Sequence, residues 1–320
     1  MDFHKDILKL DSKREVERIC SFIVQQVHDA KRDGIVVGLS GGIDSALSAA
    51  LCVEALGSDR VFGLILPEKE SNPISAEYAT KHAKKLGIET YTVDITPTLE
   101  AFGTYQKRDD VIRGAFPEYD STSKSKITLP ADLLSRDSLN FFTLKVEDGK
   151  GNIKTTRLNK KMLNGLVAAT DTKQRVRMIH LYYCAEKMNY IVCGTTNKTE
   201  VMQGFFVKHG DGGVDIEPLS HLYKAQVYQL SEHLGVIREI MERAPSPDTW
   251  SFEVNDEEFY FRMPYATLDP LLYAWEHQIP AKRVCEAMDL AEEQVSRAMR
   301  DFNAKYKATR HLRQLPPMLE

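Results

Sequence analysis

Two apolar runs, IVVGL at residues 35–39 and ALSAALCVEAL at 46–56, enclose the segment GLSGGIDS. Its eight residues are Gly38, Leu39, Ser40, Gly41, Gly42, Ile43, Asp44 and Ser45. A glycine-rich turn between a strand and a helix aims backbone N–H groups at phosphate where the helix begins. Gly41 and Gly42 permit close backbone approach and positive φ, and Ser40 and Ser45 add hydroxyl donors. A carboxylate at Asp44 would repel a bare phosphate, and it makes sense with Mg²⁺ between the two. This is not a Walker A loop, because Ile-Asp-Ser stands where that motif needs lysine and a hydroxyl residue.

The elements that must hold this turn follow from the periodicity. Residues 13–31 carry Val16, Ile19, Ile23, Val27 and Ala30 at helical spacing. Strand-like runs lie at 35–39, 61–66 and 89–95, with helices at 46–56 and about 75–86 between them. Strand and helix alternating at this spacing predict an α/β fold, a doubly wound and mostly parallel sheet with helices on both faces. The pattern resumes with a helix over 175–188 and a strand over 190–194. Residues 103–165 break it with polar clusters and a hairpin, NFFTLKV and IKTTRL about a Gly-rich turn. Few apolar residues there are available for a core, so we read an insertion on a single domain spanning 1–320. A helix pair at about 282–311 forms a C-terminal helical subdomain; few basic residues on its second helix make it a packing element, not a DNA reader.

Composition narrows the class. The chain has 320 residues, 42% hydrophobic and 28% charged, with a net charge of −4. No global positive field draws it to nucleic acid or anionic lipid. Cys20, Cys52, Cys184, Cys193 and Cys285 are scattered, without the paired spacing of disulfide frameworks or zinc sites. No apolar run approaches the length of a membrane span, and the charged first residues lack a signal-peptide core. The expectation is a cytoplasmic protein with reduced thiols.

SGGxDS after a first strand is similar to the PP-loop of the ATP-pyrophosphatase superfamily, whose members cleave ATP between the α and β phosphates on an adenine nucleotide alpha-hydrolase-like fold. Residues 194–218, GTTNKTEVMQGFFVKHGDGGVDIEP, narrow the resemblance to the ammonia-dependent NAD synthetase family, together with KQRVRM (173–178), LYKAQV (222–227) and APSPDTW (244–250). The resemblance implies ATP-dependent amidation of deamido-NAD through an acyl-adenylate, with ammonia as nitrogen donor and AMP and pyrophosphate released. It implies Mg²⁺ held by Asp44 and a second ion held by Glu200. It places Thr195, Lys224 and Ser246 on ATP, and Arg175, Lys208, Asp215 and His311 on the acid substrate, in a homodimer without nucleic acid or membrane partners. No protein nucleophile or base is implied. Glutamine-dependent relatives carry a glutaminase domain ahead of the synthetase part; here the first strand begins near residue 35, so ammonia is the expected nitrogen source.

The resemblance weakens on the acid side. FYFRMP (259–264) replaces an ELG-like segment, the insertion is longer than usual, and Leu312 in RHLRQLPP stands where the family carries a substrate-binding lysine. Asp211 reads equally as a turn former or a ligand. Two alternatives remain open: a PP-loop amide ligase adenylating a different carboxylate, and a nucleotide-binding sensor without turnover. Retention of both Asp44 and Glu200 argues against the sensor.

Overall fold

The computed structural model describes residues 3–135 and 141–319. Helix α1 (Ser12–Asp29) leads into strand β1 (Gly34–Gly38), helix α2 (Ile43–Leu56), strand β2 (Val61–Ile65), helix α3 (Pro73–Leu86) and strand β3 (Glu89–Thr92). Helices α4 (Thr96–Phe102) and α5 (Thr104–Arg113) precede strands β4 (Lys124–Thr128), β5 (Thr143–Glu147) and β6 (Ile153–Arg157). Then come helix α6 (Lys160–Met188), strand β7 (Tyr190–Cys193) and helices α7 (Lys198–Gln203), α8 (Lys224–His233) and α9 (Arg238–Met241). Helices α10 (Tyr265–Glu276), α11 (Ala281–Met288) and α12 (Glu292–Ala308) close the chain.

Among the described residues, β1, β2, β3 and β7 form a parallel sheet in the order β3-β2-β1-β7. The chain leaves β1 on one side for β2 and later returns on the other side as β7, which is the doubly wound topology expected. Val36, Val37 and Val192 are fully buried because helices cover both faces. The C-terminal ends of β1 and β7 mark a topological switch point, where ligands of such sheets bind.

The inserted segment is richer than its composition suggests. Strands β4, β5 and β6 form an antiparallel sheet, of which the hairpin is two-thirds. Ile112, Phe116, Ile127, Leu144 and Val146 pack with Trp250 and Val254, so a segment over a hundred residues downstream completes this core. Most of that core is local, and the distant Trp250 and Val254 complete it.

Helix α6 begins at Lys160, fifteen residues ahead of its expected start at 175. The helix has no single apolar stripe because it serves two cores, Leu166 in the insertion and Val176 and Ala185 beneath the sheet. Gly165 lets α5 approach closely, since a Cβ there would stand 2.9 Å from Val111. Helices α10, α11 and α12 pack together through Leu268, Leu272, Val284, Val295 and Phe302. No helix is long and apolar enough to cross a membrane among the described residues.

Candidate active site

A cleft of about 760 Å³ opens where β1 and β7 end, within the size range of small-molecule sites. The phosphate loop forms its floor. Leu39 N–H donates to Leu64 O at 2.7 Å, extending the sheet into the turn. Gly41 has φ of +73°, and a Cβ on it would lie 2.2 Å from the carbonyl oxygen of Ser75, so only glycine fits. Gly42 is the N-cap of α2 and supplies no capping side chain. The first-turn N–H groups beside Ile43 are thereby left for an anion. The serines brace the loop: Ser45 Oγ donates to Gly42 O (2.9 Å) and accepts from Ser40 N (3.2 Å), while Ser40 Oγ accepts from Gly42 N (3.2 Å).

Beside the loop, acidic groups surround one ammonium. Lys224 opens α8 and is almost wholly buried; its Nζ donates to Asp44 Oδ2. Asp44 Oδ1 accepts from Asn197 Nδ2 at 2.9 Å. Asn197 also caps α7 reciprocally with Glu200: Asn197 Oδ1 accepts from Glu200 N at 3.1 Å, and Glu200 Oε2 accepts from Asn197 N at 3.0 Å. Beneath them Thr199 Oγ1 donates to Asp269 Oδ1 (2.7 Å) and accepts from Lys224 N (3.2 Å), while Ala225 N donates to Asp269 Oδ2 (2.7 Å). Asp256 also borders the cleft; Tyr265 O–H donates to its Oδ2 at 2.9 Å, and its Oδ1 has no partner.

The charges act on one another. Burial works against the Lys224 ammonium, but Asp44, Glu200 and Asp256 outweigh it and hold the proton on well above the usual lysine range. Burial, and then the charge of Asp44, pushes Glu200 up well above the usual carboxylate range. Burial raises Asp256 to about 6 against the pull of Lys224. The acids outnumber the one ammonium, and the pressure on Glu200 to keep its proton marks a place where a cation would be favoured. Carboxylate oxygens are the ligands Mg²⁺ prefers, usually one or two with phosphate and water completing the shell. Among the described residues no cluster of three or more His, Cys, Asp or Glu forms a complete cage. Asp44 and Glu200 are oxygen donors of the kind that would hold such ions.

The other expected residues fall into two groups. Thr195 at the end of β7, Ser246, Arg175, Lys208 and His311 all border the cleft. Several are engaged: Ser246 Oγ donates to Val254 O (2.7 Å), and Lys208 Nζ donates to the carbonyls of His311 and Gln314 (both 3.0 Å). Arg175 Nε donates to Lys208 O at 3.3 Å. Leu312 lines the cleft beside His311. Asp211 also borders it, accepting from Val207 N at 2.7 Å, and burial raises it to about 6. Asp215 lies apart: its carboxylate accepts from Val192 N (2.7 Å) and Tyr182 O–H (3.1 Å) on an exposed edge outside the cleft.

Sequence reading missed Asn197, Asp256, Thr199 and Asp269. Asn197 stood inside the GTTN motif without a role, and Asp256 lies in the NDEE run, where only a departure from pattern drew attention. Nothing local marks Asp269, which acts across 70 residues of chain on Thr199. Also unforeseen is a buried network at the cleft wall, where Lys173 Nζ donates to Glu68 Oε1 (2.8 Å), Glu70 Oε2 (2.7 Å) and Thr249 O (2.9 Å).

Comparison with known proteins agrees with this architecture. The NAD synthase family matches residues 15–117 and 116–316. The NH(3)-dependent NAD(+) synthetase of Rhizobium meliloti (strain 1021) is 43% identical over 318 residues, 99% of this chain and 95% of that one. The protein of the same name from Mesorhizobium japonicum is 42% identical and covers 97% of each chain. Among solved structures, NMN synthetase from Francisella tularensis superposes with a TM-score of 0.67, covering 97% of this chain and 99% of that one. Its identity of 24% makes that a likeness of fold. With the match running almost end to end and both relatives far above 30% identity, the chain belongs to the NAD synthase family.

Proposed function

We infer that the chain is a ligase which amidates deamido-NAD to NAD, consuming ATP and ammonia. The observation that carries this is the meeting, in one cleft, of the GLSGGIDS loop from β1 with Thr195, Glu200 and Lys224 from the β7 side. The full-length relatives are named for the same reaction.

The chemistry divides into two displacements. An oxygen of the substrate carboxylate attacks the α-phosphorus of ATP, the bond to the β-phosphate bridge breaks, and pyrophosphate leaves. Ammonia then attacks the acyl carbon, AMP departs with the bonding pair, and a proton is lost from nitrogen. The first-turn N–H groups of α2 hold phosphate oxygens, and Lys224 faces the charge that develops there. Asp44 would hold one Mg²⁺ and Glu200 a second, which would supply positive charge to the triphosphate. Arg175 and Lys208 hold the acid's phosphates and carboxylate, His311 contacts the same acid, and Asp215, outside the cleft, could only accept hydrogen bonds from its hydroxyl or amino groups. Thr195 and Ser246 border the nucleotide.

A homodimer is the expected assembly, and Ile179 and Tyr183, exposed one turn apart on α6, are apolar residues that it would cover. Light scattering reads that directly.

The test of function is a single incubation of pure protein with ATP, Mg²⁺, ammonium and deamido-NAD. NAD and AMP should appear in equal amounts. AMP release that requires another acid, with no NAD formed, would make the chain an amide ligase for a different carboxylate.

A further inference from the structure

Residues 244–250 form the partition between the main cleft and a neighbouring cavity of about 400 Å³; Ser246, Asp248, Thr249 and Trp250 line both. This partition has no regular secondary structure, so its position depends on side-chain ties. Asp248 supplies two of them. Its Oδ1 accepts from Asn72 N at 3.0 Å, and its Oδ2 accepts from Ser75 Oγ at 2.7 Å. Both donors belong to the N-terminal turn of α3, where Asn72 is the N-cap. Asp248 has φ of +46°, a left-handed conformation that a non-glycine residue holds only when its surroundings impose it.

The same turn of α3 touches the phosphate loop. The carbonyl of Ser75 fills the space beside Gly41, close enough to leave no room for a methyl group. Asp248, Ser75 and Gly41 thus form a continuous chain of contacts from the partition to the loop. A third tie acts on the next residue, where the buried Lys173 ammonium donates to Thr249 O at 2.9 Å. Ser246 lies two residues from Asp248 and accepts from Asp248 N at 3.3 Å, so the turn that carries Ser246 moves with the clamp.

We propose that Asp248 is a positioning residue for ATP: it clamps the 244–250 partition to the α3 turn that supports the phosphate loop, setting the wall against which the triphosphate is held. The inference rests on GLSGGIDS being a nucleotide loop and is independent of which acid is amidated. Its chemical content is two charge-assisted hydrogen bonds with fixed direction. Asparagine at 248 can keep both ties, accepting from Asn72 N and donating to Ser75 Oγ; alanine keeps neither.

The experiment compares wild type, Asp248→Ala, Asp248→Asn and Ser75→Ala, with ATP binding titrated directly and steady-state kinetics run with ATP and deamido-NAD varied in turn. In Asp248→Ala the ATP dissociation constant and KM should rise about tenfold or more, with kcat and the KM for deamido-NAD nearly unchanged. Asp248→Asn should restore most of the loss. A role in folding alone would lower the active fraction, so kcat would fall while the KM for ATP stayed put; that result overturns the proposal. If Asp248→Ala does not fold, Ser75→Ala removes one tie alone and should raise the KM for ATP about threefold, with an unchanged KM counting as refutation. A wild-type protein that fails to bind ATP would bring down the nucleotide reading itself. Wild-type binding matched by a folded Asp248→Ala would bring down the clamp only.

Discussion

Lys224 and Asp44 meet as a nearly dry ion pair, though 180 residues separate them in sequence. Asp44 belongs to the first turn of α2 and Lys224 to the first turn of α8, so the contact ties the two walls of the cleft together. It also shares the Lys224 charge among Asp44, Glu200 and Asp256. Removing either partner should therefore have unequal effects. Lys224→Met leaves the carboxylates without a compensating cation and should cost about 3–5 kcal/mol of stability in denaturant unfolding. Asp44→Asn leaves Lys224 still facing two acids, so the fold should stay as stable as wild type. Equal losses in the two variants would show that the cluster is more open to water than its burial indicates.

Turnover should respond in the opposite way. On the proposed metal roles, Asp44→Asn and Glu200→Gln each take a carboxylate charge from the nucleotide side of the cleft without touching the core. Each should lower kcat by about 100-fold or more, the scale seen when a transition-state charge loses a stabilising partner. Products identified by chromatography should be AMP and pyrophosphate. ADP as the main nucleotide product, or near-normal turnover in both variants, would overturn the assigned cleavage position and the metal roles together.

How much of this was legible in the chain depended on distance along it. The strand–turn–helix around Gly38–Ser45 and the run from Gly194 to Pro218 are local, and periodicity with motif chemistry located both. Helix α6 was half seen, because Leu166 and Val176 face different cores and no single stripe marks residues 160–174. The core of the insertion went unseen because Trp250 and Val254 supply part of it. Asp248 and Asp269 matter through partners 173 and 70 positions away, and no pattern within a helix or strand records such pairs.

Glu217 predicts a pH dependence of stability. Its Oε2 is enclosed without a partner, and burial pushes the carboxyl up to about 8 against hydrogen bonding from Thr196. Between the ordinary value of 4.5 and about 8 the folded chain holds a proton that the unfolded chain has released. Stability contributed by this group therefore falls as pH rises through that window. Glu217→Gln carries no such proton and should be flat across it. The melting temperature of the variant relative to wild type should be higher at pH 8.5 than at pH 5. An unchanged difference between the two pH values would mean that Glu217 is ionised in the folded state throughout.

The final prediction concerns the acid substrate and the C-terminal tail. Lys208 Nζ holds the carbonyls of His311 and Gln314, which places Leu312 on the cleft wall next to His311. Arg313 cannot substitute for a missing lysine there, since its guanidinium donates to Val201 O (3.1 Å) and Thr309 Oγ1 (2.9 Å). An apolar side chain at 312 thus lines the cleft at the position where the motif resemblance leads one to expect a lysine. Leu312→Lys should add one charge-assisted hydrogen bond to the dinucleotide acid, worth about 1.5–3 kcal/mol, and lower the KM for deamido-NAD about tenfold. The KM for ATP should not move, because the phosphate loop is elsewhere in the cleft. The insertion reaches the same space through Ile127 and Phe142. Phe142→Ala should accordingly raise the KM for deamido-NAD and leave ATP binding intact. If Leu312→Lys fails to improve use of deamido-NAD while Phe142→Ala abolishes it, the insertion sets acid specificity in this chain and the tail does not.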